Sequence, residues 1–151
     1  MGLNMTSTFA SDLEVALASL NAARANLVTA VQPLTLTGLE RARRGGWPLH
    51  RILEHVIEAE NLYVAAVATI RKLPLPSLSS SSCAGEPADE ILCRLDASRR
   101  ALLNTVNGVA EDDFYRIEKL GREEYSVLSI LENAAHHDEE HTRQIAATIA
   151  A

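Results

Sequence analysis

Val127–Ile149 reads VLSILENAAHHDEEHTRQIAATI, and neither glycine nor proline interrupts it. Ile130, Ala134, His137, His141 and Ile145 recur at the i, i+4, i+7 spacing of one helical face. Two histidines therefore stand in the line expected to face a core. On a helix, residues four apart share a face, with Cβ atoms roughly 5–6 Å from each other. His136 is turned about 100° away, toward Ser129, Asn133 and Glu140. Neutral imidazoles in a core need partners for their ring nitrogens. Either they hydrogen-bond to other side chains or they bind an ion. Ser126 is a good N-cap for this helix, while Ser129 is expected to add little.

Working outward, three more helices are expected. Ser11 and Asp12 can cap a first one, whose apolar line is Leu13, Ala16, Leu17, Leu20, Leu27 and Val31. It should end near Gln32-Pro33, since the residue before a proline avoids the α region. Residues 33–46 connect, and their cluster Arg41, Arg43, Arg44 reads as solvated loop. Trp47-Pro48 opens a second helix along Ile52, His55, Ala59, Leu62, Ala66 and Ile70. Again a histidine stands in the apolar line, with Glu54, Glu58 and Asn61 flanking it. That helix should stop at about Lys72, before Pro74 and Pro76. Residues 73–86 are Pro- and Ser-rich and long for a bundle connection; they can cross the bundle or cover the site as a lid, although low-complexity serine more often means plain mobility. Pro87 begins a third helix, with Asp89 and Glu90 in its first turn and a line through Leu92, Leu95, Leu102, Val106 and Val109. Residues 110–125 lead to the last helix, with a short extended turn around Ile117–Glu123. No internal repeat and no strand pattern is evident. The expectation is all-α: a four-helix bundle forming a single domain over residues 1–151, with a long crossover between helices 2 and 3.

Composition narrows the function classes. A length of 151 residues with 47% hydrophobic content suits one substantial core. The net charge is -6 and the basic residues are scattered, which argues against a nucleic-acid partner. No apolar run approaches a membrane span and no signal peptide is evident, so a cytoplasmic protein without a membrane partner is expected. Met1-Gly2 followed by Thr6 fits a loose myristoylation pattern that matches often by chance, and Met5 offers an alternative start. Cys83 and Cys93 have no metal-type spacing and read as free thiols.

Of the 5 histidines, His55, His137 and His141 fall on expected core faces, whereas His50 and His136 do not. A lone core histidine is more often structural than a ligand. An i, i+4 pair joined by a third from another helix favours a metal. Three imidazoles fix one divalent ion and leave positions open for water or substrate. Glu58, one turn after His55, is a candidate to supply a carboxylate or orient a ring, against the plainer reading of a solvated charge. Imidazole suits several metals, so residue type alone cannot choose among them. Other metal motifs fit poorly. Zincin proteases need His-Glu-x-x-His, but Asp138 follows His137. Di-iron bundles need Glu-x-x-His pairs, and the nearest match is Asp138-x-x-His141.

Two motifs carry a family resemblance that spans most of the chain. One is Trp47-Pro48-x-x-x-Ile52-Leu53-x-His55, followed by Glu58 and Glu60. The other is Tyr125-Ser126-Val127-Leu128-x-x-Leu131, leading to His137-x-x-x-His141-x-x-Gln144-Ile145. Both resemble the DinB/YfiT-like proteins. The resemblance implies a four-helix bundle with a long crossover, often a homodimer, whose metal-binding histidines correspond to His55, His137 and His141. It implies a divalent metal, zinc or nickel first, with iron or manganese as further candidates. It also implies a low-molecular-weight thiol and a small electrophile as partners, since some members are thiol-dependent S-transferases or isomerases working through a metal-bound thiolate. The alternative is a non-catalytic metal-binding or stress-related interaction bundle. A sulfoxide-synthase branch carries His-x-x-x-His-x-Glu, and Arg143 at the last position departs from it.

Overall fold

The fold is that of a computed structural model, which describes residues 5–151, with side chains from Thr8 onward. Met1 and Gly2 of the myristoylation-type pattern, and the side chain of Thr6, lie outside the described residues. Four long helices dominate: α1 (Met5–Val31), α3 (Leu49–Arg71), α4 (Ala88–Val106) and α6 (Val127–Ala150). Short α2 (Leu36–Leu39) interrupts the first connection. Short α5 (Glu111–Tyr115) and a hairpin of β1 (Glu118–Leu120) and β2 (Glu123–Tyr125) fill the last.

Side-chain pairings fix the directions of the helices. Arg71 near the end of α3 donates to the carbonyls of Thr105 and Asn107 at the end of α4, so α3 and α4 run parallel. Arg24 meets the Leu95 carbonyl and Arg99 meets the Leu20 carbonyl, so α1 and α4 are antiparallel. His55 faces His137 and His141, while Tyr63 and Ala66 lie beside Ile130 and Tyr125, which makes α3 and α6 antiparallel. Two parallel neighbours cannot be joined by a tight turn, and this requires the long crossover after α3. The crossover lies along α3 and α4, away from the histidines. Asn61 donates to the Ser79 carbonyl, and the Glu54 carboxylate accepts the backbone N–H groups of Cys83 and Ala84.

The apolar core falls into two clusters. One gathers Leu20, Val64, Leu102, Phe114, Ile130 and Leu131; the other gathers Leu27, Leu53, Ile57, Ile91, Leu95 and Ile145. A charged layer of Arg24, Glu60, Arg99 and Asp138, one residue from each long helix, accompanies the two, and none of the four is more than 8% exposed.

Several expectations need correction. Ser11 and Asp12 are not a cap, because α1 begins at Met5 and carries both inside it. Packing of Phe9 against Phe114 and Tyr115, ring centroids 5.2 and 6.2 Å away, holds the preceding turn in place, and Asp12 instead accepts the Tyr115 hydroxyl. The line Ile52, His55, Ala59, Leu62, Ala66 and Ile70 runs along the edge of the buried arc of α3. Leu62 is 71% exposed, and Leu53, Ile57, Glu60, Val64 and Val67 hold the centre. A helix packed against two neighbours buries an arc wider than one stripe. Ser129 contributes after all: it reciprocates the Ser126 cap, each side chain accepting the other's backbone N–H. A two-stranded hairpin exists despite the absence of a strand pattern, with Gly121 at φ +68° in its turn.

Candidate metal centre

His55 comes from α3, and His137 and His141 from successive turns of α6. Their Nε2 atoms converge. His137 Nε2 lies 3.2 Å from His55 Nε2 and 2.9 Å from His141 Nε2, and one donor atom from each ring falls within 4.8 Å of the others. Metal–nitrogen bonds of ~2.0–2.1 Å at angles from 90° to tetrahedral place ligand nitrogens about 2.9–3.4 Å apart. Both of the short spacings fall in that window and the third pair lies within 4.8 Å, so the three donors can hold a single divalent ion.

The tautomers agree. His141 Nδ1 lies 2.7 Å from Gln144 Oε1, an atom that only accepts. The His141 proton is therefore on Nδ1, and its Nε2 lone pair points at the other two rings. One proton on His137 Nε2 could satisfy only one of its two contacts. An ion at the centre would accept all three lone pairs. Burial, together with the neighbouring His141 and His55 rings, pushes His137 down to about 4. Burial and His141 also lower His55. Both rings are thus neutral at pH 7, the form that binds metal.

The surrounding residues divide into those that touch the rings and those that do not. Gln144 orients His141, a role the motif contained but residue type alone did not reveal. Trp47 stands edge-on to His55 at 5.7 Å, with the Arg51 guanidinium 4.9 Å over its ring. Glu58 hydrogen-bonds to no histidine. Its carboxylate takes Arg51 at 3.1 Å, and its side chain is 43% exposed. His136 points to solvent beside Glu139, as its helical phase requires. His50 lies apart from the three. Cys83 is buried, its thiol pushed up to about 12 by burial, and Cys93 is exposed on α4; both thiols are free.

Adjacent to the histidines is a cavity of about 300 Å³. His55 and His137 form one end, Ala59, Ala66 and Ile130 contribute apolar walls, and Tyr63 and Tyr125 bring hydroxyls. The hairpin delivers Tyr125, whose hydroxyl donates to Glu123 at 2.8 Å. A larger open groove between the crossover and α4, lined by Pro74, Pro76, Arg100 and Asn104, contains no comparable donor set.

The other feature missed in the sequence is the charged layer. Arg24 grips Asp138 through Nε at 2.8 Å and Nη2 at 3.2 Å, and reaches Glu60 at 3.1 Å. Arg99 reaches Glu60 at 2.7 Å and Asp138 at 2.9 Å. Two positive and two negative groups balance, and both guanidiniums also donate to backbone carbonyls. Asp138 thereby anchors the backbone between His137 and His141 to α1 and α4 directly, and through the two arginines to Glu60 on α3.

The DinB superfamily profile matches residues 19–145. The chain belongs to the DinB superfamily. Among solved structures, it is similar to TT2238, described as a four-helix bundle protein, at 23% identity and a TM-score of 0.67. That alignment covers 88% of this chain and 96% of the other, and it shows the shared fold. No curated protein matches this DinB chain significantly. No helix among its described residues is long and apolar enough to cross a membrane.

Proposed function

We propose that this DinB protein binds one divalent metal through His55, His137 and His141, and transfers a low-molecular-weight thiol to a small electrophile. The observation that carries the reading is the convergence of three Nε2 atoms, one with its lone pair fixed inward by Gln144. When bound, such an ion would lower the pKa of a thiol and hold it as thiolate, the nucleophilic form, at neutral pH. Three protein ligands leave coordination positions open, as in catalytic rather than closed structural sites. The histidines act as ligands and not as acids or bases. Arg24 and Arg99, both shared with Glu60, hold Asp138, and with it the α6 turn that spaces His137 from His141. The adjoining cavity supplies room for the electrophile. Zinc and nickel both suit a neutral nitrogen set of this kind.

The test is a screen of bacillithiol, mycothiol, glutathione and coenzyme A against 1-chloro-2,4-dinitrobenzene, with zinc- or nickel-loaded protein and with the His137→Ala/His141→Ala variant. Metal-dependent conjugation of at least one thiol, lost in the variant, is expected. Conjugation by none of them, or an equal rate in the variant, contradicts the transferase reading.

A further inference from the structure

We infer that the cavity beside the histidines binds a compact, uncharged, mainly apolar molecule with one carbonyl-type acceptor, and that Tyr63 donates a hydrogen bond to that acceptor. Size sets the first limit. At the ~30 Å³ that a water occupies in the liquid, about 300 Å³ corresponds to about ten heavy atoms. Charge sets the second. Among the described residues neither lysine nor arginine lines the space, so in the metal-free protein a carboxylate or phosphate would enter without a counter-charge. The polar groups set the third. The Tyr125 hydroxyl is already donated to Glu123, and the histidine Nε2 atoms face one another. The Tyr63 hydroxyl hydrogen-bonds to no group among the described residues, and it is not sealed from the cavity or solvent. Of the two lining tyrosine hydroxyls it is therefore the one still to be satisfied, in a wall otherwise built from Ala59, Leu62, Ala66, Ile130 and the two histidine rings. A mainly apolar pocket with one convergent polar group binds by apolar burial and orients its ligand through that group.

The inference rests on the proposed function only in placing this molecule next to the thiol, and its binding is testable without metal. Acetophenone serves as the probe, ethylbenzene as the analogue lacking the acceptor, and benzoate as the charged analogue. Amide chemical shifts are titrated on chelator-treated and on zinc-loaded full-length protein. Acetophenone should bind saturably in both preparations, and more tightly than benzoate in the metal-free one. Tyr63→Phe should weaken acetophenone about fivefold, as expected for one neutral hydrogen bond, while leaving ethylbenzene within about twofold. Ala59→Phe, with an unchanged far-UV spectrum, should weaken both by more than about tenfold, because the added ring fills the space. Absence of saturable acetophenone binding overturns the inference. So does an effect of Tyr63→Phe that is nil or equal on both probes, a null effect of Ala59→Phe, or acetophenone binding that requires zinc. If the metal reading alone fails, acetophenone binding survives; if this inference alone fails, metal content survives.

Discussion

At the scale of single residues, Gln144 and Glu58 separate a side chain that touches the rings from one that does not. Gln144 holds His141 in the tautomer with Nε2 free. Gln144→Leu should reduce metal affinity about 10–100-fold while all three ligands remain. Glu58 is taken up by Arg51, and Glu58→Gln should leave affinity within about twofold. Competition with a chromophoric chelator measures both; equal losses would show that the Gln144 contact does not matter. Titration of His137 adds a pH dependence in the metal-free protein. Its folded pKa, about 4, lies below the ordinary 6.5, so between these values the unfolded chain binds the proton more readily. The neutral ring's contribution is complete above about pH 6.5 and is lost as pH falls toward 4, up to a few kcal/mol. Urea midpoints between pH 7.5 and 4.5 should decline, and decline less in His137→Gln. An identical decline would mean that other groups carry it. The histidine pair was legible because a four-residue spacing survives any helical context. Gln144 as a ring partner was not, since a glutamine on a helix surface reads the same whether or not it touches a ring.

At the scale of elements, the charged layer and the α6 cap place the site. Removing one member of a buried ionic set strands its partners, whereas apolar replacement of the whole set is often neutral or stabilising. Glu60→Leu should therefore cost about 3–5 kcal/mol, while joint replacement of Arg24, Glu60, Arg99 and Asp138 by apolar residues of similar volume should recover most of that. Equilibrium unfolding in guanidinium compares them; additive losses across the four substitutions would contradict the picture. Ser126→Ala removes one half of the α6 cap and should cost about 1 kcal/mol. The layer escaped the sequence because a charged residue on a helix reads as solvated, and each partner sits on a different helix. Asp138 is one position from His137, and its inward direction follows only once α1 and α4 are known to close the bundle around it. The Leu62 misplacement has the same origin. The arc a helix buries depends on how many neighbours it has, which periodicity within that helix does not contain. Likewise the hairpin was only an extended turn in the sequence, since strands of three residues are too short for an alternation to show.

At the scale of the whole molecule, the parallel pairs α3/α4 and α1/α6 bring His55 opposite His137 and His141 across an antiparallel seam. The long helices, the crossover and the three histidines were readable from period and punctuation. The order in which the helices surround the core was settled by long-range contacts such as Arg71 with Thr105 and Asn107. The central claim is that this seam holds one divalent metal on three imidazoles. Its most direct measurement is elemental analysis of untagged protein after dialysis, side by side with the His137→Ala/His141→Ala variant. About one equivalent of a single divalent metal per chain, falling to background in a variant that remains helical, is the expected result. Equal metal content in the two proteins would contradict the site.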